Sequence, residues 1–381
     1  MIAIRMRYPG ILLILLGSCS APRVFEPGKS DEIARLFEAL EKGGRFNGTV
    51  LVAEQGIVRY RRAHGFKNLE QGERLDAETA FEVGSISKTL TAVAVHQLVE
   101  RGRLSLDDPL PRFFPKLPYD TVTIRGLLSH TSGLFDVYGD VDLRKRFYAF
   151  YDKPVPPYTN KDYLAFLEAF TPPVIGGAAE KDHYSNTAYV LLALIVEQVS
   201  GAPFDAFLQE NILGPAGMSR TFVLSLLRGR RVANLATGYQ ADASGSSKAV
   251  VSPPDPPRVH GLTYGDDEIA TTVDDLHAFD RALRSGRLLR QETLRHVLIP
   301  PMLKNGKPAA YALGFAVRHE NGVRTVSHGG STAGFLAYGQ FSAPDNETTV
   351  FILTNVPGDS RAFRETSQAV QRILHPPLTE K

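Results

Sequence analysis

With a single cysteine, Cys19, among its 381 residues, this chain has no means of closing an internal disulfide. Charge of one sign is missing too. The 43 basic residues nearly balance 41 acidic ones, for a formal net charge of +2, and no long run of either sign occurs, which argues against nucleic acid as a partner. No solenoid-type repeat is present, and compositional bias is limited to short proline clusters. A glycine-rich phosphate loop is absent, and the ten histidines are scattered without H-E-x-x-H or a similar ligand spacing, so no metal or other cofactor is expected.

What the chain does have is apolar residues, 43% of the total, over a length that suggests two or three domain-sized units with a sizeable core. Residues 1–18 read as a targeting segment: Arg5 and Arg7 precede GILLILLGS, a run too short to span a bilayer comfortably that ends in small residues. Cys19 follows Leu16-Gly17-Ser18, which resembles the lipobox at which bacterial lipoprotein precursors are cleaved and lipidated. The expectation is a membrane anchor through lipidated Cys19, a tether over 19–29, and a periplasm-facing place in the bacterial cell envelope. The alternative is a plain signal peptide, giving a soluble periplasmic or secreted protein, or an uncleaved anchor.

Beyond the tether, Ser30 is placed to cap a helix whose apolar Ile33, Leu36, Phe37 and Leu40 follow three-four spacing, with Gly43 near its end. The segment GTVLVAEQGIVRYRRAHGF puts β-formers on either side of Gln55-Gly56, a hairpin signal. From Phe81 onward helical patterns dominate: after Ser85, in KDYLAFLEAF from 161, in TAYVLLALIVEQVSG from 187 and in VDDLHAFDRALRSG from 273. Proline clusters at 154–157, 253–257 and 300–301 separate them. Segments near 311–318, 323–328, 334–342 and 348–354 are again β-rich, with Pro344-Asp345-Asn346 as a turn. The simplest arrangement is an α/β fold of the α+β type. An antiparallel sheet built from 30–118 and 305–375, flanked by the first and last helices, carries a mostly helical insertion over 119–304, with the active site between the two.

The stretch FEVGSISKTLTAVAV, residues 81–95, places Lys88 at the head of a run almost free of charge. On a helix, residues three apart share a face with Cβ atoms about 5–6 Å apart, so Lys88 can reach Ser85. A hydroxyl needs a base to attack a carbonyl, and a lysine serves only if its pKa is pulled down, which burial in the apolar run would do. A helix N-terminus adds backbone N–H groups and a favourable dipole for developing negative charge. The same residues also fit a plain helix start, with the Lys88 stem covering apolar surface. In HYSNTAYVLL, Tyr184 and Asn186 lie two apart and, in an extended stretch, would face one side: a phenol to relay protons and an amide to hold a substrate peptide group. Equally, Asn186 could cap the helix that follows. In VSHGGSTAGF, Gly329 and Gly330 clear space for another backbone or a ligand, or mark a bulge with His328 facing solvent.

Three motifs thus occur in order: Ser85-Ile86-Ser87-Lys88 as S-x-x-K, Tyr184-Ser185-Asn186 as Y-x-N, and His328-Gly329-Gly330 as the K-T-G or H-x-G element. With TIRGLLSHTSGL at 123–134 and IVEQVSGAPFDAFLQENILGPAGMSRT at 195–221, the sequence resembles the serine β-lactamase-like hydrolases, the family of class C β-lactamases, D-alanyl-D-alanine carboxypeptidases and β-lactamase-like esterases. The resemblance covers roughly residues 30–370. It implies Ser85 as the acylated nucleophile, with Lys88 and Tyr184 sharing proton transfer. It also implies Asn186, His328, Gly329 and Gly330 in substrate binding, and an oxyanion hole from the backbone N–H groups of Ser85 and Ser331. A Ser-His-Asp hydrolase would need a G-x-S-x-G elbow, and the residue two after Ser85 is Ser87. His130 and His183 read as structural, the first in a turn.

Two departures bear on substrate. Class C β-lactamases carry lysine at the position of His328, where the cation helps bind a substrate carboxylate; a histidine is only partly charged near neutral pH, which counts against efficient antibiotic hydrolysis. In GDDEIATTVDDL, Asp266, Asp267 and Glu268 stand where relatives have paired glycines, and a solvated loop is favoured over a rim for amine-bearing substrates. The expected protein is a hydrolase of small-molecule or short-peptide amides or esters, of the esterase or D-amino-acid peptidase type. A β-lactamase and a non-catalytic penicillin-binding receptor are the alternatives, and oligomeric state is not encoded in these motifs. The lipobox reading predicts that the chain is cut before residue 19 and carries lipid on Cys19, and that Cys19→Ala abolishes both, as read by mass spectrometry of the N-terminal peptide. Unchanged cleavage in the variant, or a parent peptide free of lipid, would exclude lipidation at Cys19.

Overall fold

The computed structural model describes residues 28–151, 158–176, 178–227, 232–241, 247–250, 263–320, 323–356 and 360–376. The expected targeting segment and Cys19 lie outside these residues, as do the proline clusters at 154–157 and 253–257.

Both ends of the chain contribute to one six-stranded antiparallel sheet. Strands β1 (Gly48–Glu54) and β2 (Ile57–His64) form the early hairpin, and β3 (Ala316–Glu320), β4 (Val323–Thr332), β5 (Phe335–Phe341) and β6 (Thr348–Thr354) follow late in the chain, in the spatial order β3-β4-β5-β6-β1-β2. Pairing of β1 with β6, Val50 opposite Ile352, joins the two halves. At the hairpin tip Gln55 and Gly56 both have positive φ, 52° and 75°, which matches the right-handed twist of the strands they connect.

The longest helices are α1 (Lys29–Lys42), α2 (Ser87–Glu100), α3 (Asn160–Phe170), α4 (Asn186–Ser200), α5 (Val273–Arg284) and α6 (Ser360–Leu374). Alternation along β1 feeds two cores. Val50 and Val52 pack with Ile33 and Phe37 of α1 and Val370 of α6, whereas Leu51 and Ala53 join the larger cluster shared with α2, α4 and α5. Ser30 does not cap α1: the helix starts one residue earlier after Gly28, and the Ser30 hydroxyl instead donates to the Arg59 carbonyl on β2.

Helix α2 lies at the centre, buried continuously from Ser87 to Leu98. Its polar residues are accommodated by hydrogen bonds to main chain: Thr89 to Ile86 O, Thr91 to Gly265 O, and Gln97 to Asn211 O and Leu288 O. Helix α4 is apolar all round because it is enclosed by α2, α3 and neighbouring turns. No single helix among the described residues is long and apolar enough to cross a membrane.

Two features escaped the sequence patterns. The strand expected from 311 begins only at Ala316, because the preceding turn presses Gly314 (φ 114°) against α2, where a Cβ would lie 2.2 Å from that of Ala92. A small three-stranded sheet of two- and three-residue strands pairs Phe81 with Thr271 and Val223 with Ile269, fixing the 265–271 loop beneath the start of α2. Strand β4, in turn, runs on through Gly329–Thr332 and crosses the turn at 83–85: a Cβ on Gly330 would sit 1.8 Å from Val83 O, whereas one on Gly329 meets nothing closer than 3.9 Å. Gly330→Ala is therefore expected to lower stability by about 1–3 kcal/mol. Gly329→Ala should stay within about 0.5 kcal/mol of the parent, both read from urea unfolding midpoints.

Candidate active site

Ser85 occupies a 3-10 turn, Gly84–Ile86, that runs directly into α2. Gly84 has φ 49°, and a Cβ there would stand 2.7 Å from Ser331 N, so the absence of a side chain lets β4 lie against the turn. The backbone N–H of Ser331 is thereby brought beside Ser85, the arrangement an oxyanion site requires. One turn along α2, Lys88 is fully buried and its Nζ reaches three oxygens: Ser85 Oγ at 3.0 Å, Asn186 Oδ1 at 2.7 Å and Asp266 O at 2.7 Å. An ammonium donates to all three. A neutral amine would keep two N–H groups for Asn186 and Asp266, whose oxygens can only accept, and its lone pair would then face the Ser85 hydroxyl.

The charge on Lys88 corrects the sequence-based expectation. Burial pulls its pKa down, but the charges of Tyr184 and Asp266, hydrogen bonding with Tyr184 and the charge of Asp267 outweigh it, leaving the amine above its ordinary value and protonated at rest. Asp266 lies in the segment expected to be a solvated loop. It is buried, because Gly265 packs where a Cβ would come within 2.5 Å of Ala193 Cβ on α4, and Glu268 beyond it is buried as well. Burial raises the Asp266 carboxyl well above the usual range, the neighbouring Asp267 adds to the rise, and Lys88 opposes it.

The Y-x-N residues sit where α4 begins. Ser185, not Asn186, is the cap: its Oγ accepts from Ala188 N at 3.1 Å and donates to Phe135 O at 2.9 Å. The Asn186 side chain is left to bridge, with Oδ1 on Lys88 and Nδ2 donating to Asp136 Oδ2 at 3.0 Å. Tyr184 places its ring 5.1 Å from Lys88 Nζ. His130, read as structural from its turn, stacks on that ring at 4.2 Å, and its Nδ1 accepts from Ser185 N at 3.1 Å. Burial, with Lys88, His328 and His183 adding to it, keeps His130 neutral. His183 is tied in by its main chain, donating to His130 O at 2.7 Å. Tyr311, which no motif signalled, completes the aromatic wall at 4.8 Å from His130 and 5.6 Å from both Tyr184 and His328.

His328 does not face solvent; it is buried on β4 behind Tyr311. Its Nδ1 lies 2.7 Å from Gly329 O, a pure acceptor, so the proton sits on Nδ1 and Nε2 keeps its lone pair. Burial and the nearby Lys88 push its pKa down to about 3, so it is neutral at physiological pH. Gly329 and Gly330 follow on the same strand beside the Ser85 turn.

A profile of the family described as Beta-lactamase matches residues 33–374. The chain belongs to this family. Penicillin-binding protein 4* of Bacillus subtilis is 32% identical over 357 residues, covering 91% of this chain and 76% of that protein. A D-aminopeptidase of Cereibacter sphaeroides is 27% identical over 340 residues, and the alignment covers 87% of this chain but 61% of the relative. Among solved structures, a penicillin-binding protein from Bacillus halodurans superposes with TM-score 0.74 at 25% identity, covering 88% of this chain and 98% of that one. The D-amino acid amidase of Ochrobactrum anthropi shares the fold at TM-score 0.72 and 22% identity, over 91% of this chain and 98% of its own. Beta-lactamase family members are serine hydrolases, and the antiparallel sheet with flanking helices expected from the sequence is their fold.

The depressed His328 pKa carries a stability consequence in this family member. Its pKa falls from 6.5 to about 3 on folding, so the unfolded chain takes up the proton first. The associated stability is whole above about pH 6.5 and is lost as pH falls toward 3. Between pH 7 and pH 4.5 the parent should lose about 2 kcal/mol more than His328→Gln, as measured by urea unfolding at the two pH values. Equal losses would show that His328 is not held neutral.

Proposed function

We propose that this protein hydrolyses amide or ester bonds of small D-amino-acid derivatives or short peptides through an acyl intermediate on Ser85, in the bacterial cell envelope. The observation that carries the reading is Lys88 Nζ at 3.0 Å from Ser85 Oγ with its two other directions held by carbonyl-type oxygens. Lys88 first gives up a proton to solvent by way of Tyr184, whose hydroxyl passes on one proton as it receives another. Ser85 Oγ then bonds to the substrate carbonyl carbon while its own proton passes to the Lys88 lone pair. The backbone N–H groups of Ser85 and Ser331 receive the oxyanion. As the tetrahedral adduct collapses, the bond to the leaving group breaks and the leaving group takes a proton from the Lys88–Tyr184 pair. Water repeats the sequence on the acyl-enzyme and restores the Ser85 hydroxyl.

The substrate class follows from His328. A neutral imidazole with its lone pair on Nε2 accepts a hydrogen bond and offers no charge to a carboxylate. Asp136, Asp266 and Asp267 are carboxyl groups that interact electrostatically with Lys88. This favours a substrate carrying an amine or amide N–H over the terminal carboxylate of a carboxypeptidase or β-lactam substrate, in line with the likeness to a D-aminopeptidase. Envelope placement rests on the N-terminal segment and Cys19.

A fluorophosphonate probe with peptide mass spectrometry tests the mechanism: label is expected on Ser85, and Ser85→Ala should lose at least about 1,000-fold in kcat/KM on p-nitrophenyl esters. A parallel panel of D-alanine p-nitroanilide, N-blocked D-Ala-D-Ala peptide and nitrocefin should be turned over in that order. Label elsewhere, or full activity in Ser85→Ala, overturns the mechanism; preference for nitrocefin overturns the substrate class.

A further inference from the structure

We propose that Asp136 is a positioning residue of this reaction, holding the Asn186 amide so that its carbonyl end faces the Lys88 nitrogen. The proposal rests on the acyl-serine reading above. The two ends of an asparagine amide are nearly equal in size but opposite in hydrogen-bonding sense. With Nδ2 toward Asp136 Oδ2 at 3.0 Å and Oδ1 toward Lys88 Nζ at 2.7 Å, both ends meet a complementary group. Turned over, the amide would set N–H groups against the ammonium and its oxygen against the carboxylate. Lys88 would then lose one of the two pure acceptors that leave its third direction to Ser85.

Asp136 is built for this task. Its other oxygen, Oδ1, accepts from Tyr138 N at 3.2 Å, so both oxygens act as acceptors; an asparagine there would present a donor to one of the two N–H groups. A Cβ on Gly139 would come within 2.9 Å of Asp136 Oδ2, so glycine leaves room for the side chain. The residue belongs to a loop, 130–137, that grips the Y-x-N segment at successive positions. His130 O accepts from His183 N, the His130 ring stacks on Tyr184, His130 Nδ1 and Phe135 O hold Ser185, and Val137 N donates to Thr187 Oγ1 at 3.0 Å. Within that clamp, Asp136 reaches Lys88 by a path of two hydrogen bonds through the Asn186 side chain.

Steady-state hydrolysis of a p-nitrophenyl ester, together with the rate of fluorophosphonate labelling, tests this. Asp136→Ala should lower kcat about 10- to 100-fold while KM changes by less than about three-fold, because orientation of a reacting group is lost and substrate binding is not. The groups facing Lys88 are Asp136, Asp266, Asp267 and Tyr184, with His130 and His328 neutral beside them. Removing the Asp136 charge makes Lys88 release its proton more readily, so Asp136→Ala and Asp136→Asn should both move the acid limb of kcat/KM to lower pH. In an Asn186→Ala background, Asp136→Ala should cost less than about two-fold. An unmoved acid limb, unchanged kcat, or a full multiplicative loss in the double variant would overturn the proposal. If Asp136→Ala does not fold, Asp136→Asn alone and with Asn186→Ala decides by the same readings. A parent enzyme that takes no label on Ser85 removes the acyl-serine reading and this proposal with it; a labelled parent with indifferent variants removes only the proposal.

Discussion

A buried ammonium persists in a fold only if its donors meet oxygens, and in this protein that requirement falls on Lys88. Its partners come from the turn before α2, the first residue of α4 and the main chain of the 265–271 loop. None of these elements could shift far without leaving a cation unsatisfied in an apolar interior. The otherwise hydrophobic surroundings of α2 therefore act as a constraint on geometry as much as a source of stability.

The sheet supplies the other half of the constraint. Strand β4 can carry Ser331 to Ser85 only because two facing positions lack side chains: Gly84 on the turn and Gly330 on the strand, each in backbone contact with the other segment. The β1–β6 pairing and the two-faced burial of β1 set where β4 lies relative to α2, since the strand order runs β4-β5-β6-β1. Packing in the core is thus converted into the spacing between a hydroxyl and a backbone N–H.

What was legible in the sequence was local. The Ser85–Lys88 pair is three residues apart in the chain, the Gln55-Gly56 turn is written in two residues, and α4 and the last strands are marked by apolar runs of helix and strand length. What was not legible depends on contacts between distant segments. The protonation of Lys88 is set against burial by Tyr184, Asp266 and Asp267, about a hundred or more residues away in the chain, and the acidic loop that composition marks as solvated is buried by its approach to α4. His130 and Asp136 meet the Y-x-N segment across 55 and 50 residues, and Tyr311 is a lone aromatic before a strand. No spacing rule encodes such meetings. The TIRGLLSHTSGL segment could be noticed as a family hallmark without its purpose as a clamp being visible.

The histidine of the third motif bears on the charge the site can carry. A lysine at that position would add a second cation beside Lys88, and the site could then balance a substrate carboxylate. His328 instead spends its one N–H on Gly329 O and is held neutral by burial and by Lys88 itself. The same Lys88 charge that holds the Ser85 hydroxyl therefore suppresses charge on its neighbour, and both effects follow from placing the two groups in one low-dielectric pocket. Among the described residues, the Lys88 ammonium is already committed to three oxygens. In the proposed reading, recognition then runs through acceptors, and acceptors select N–H.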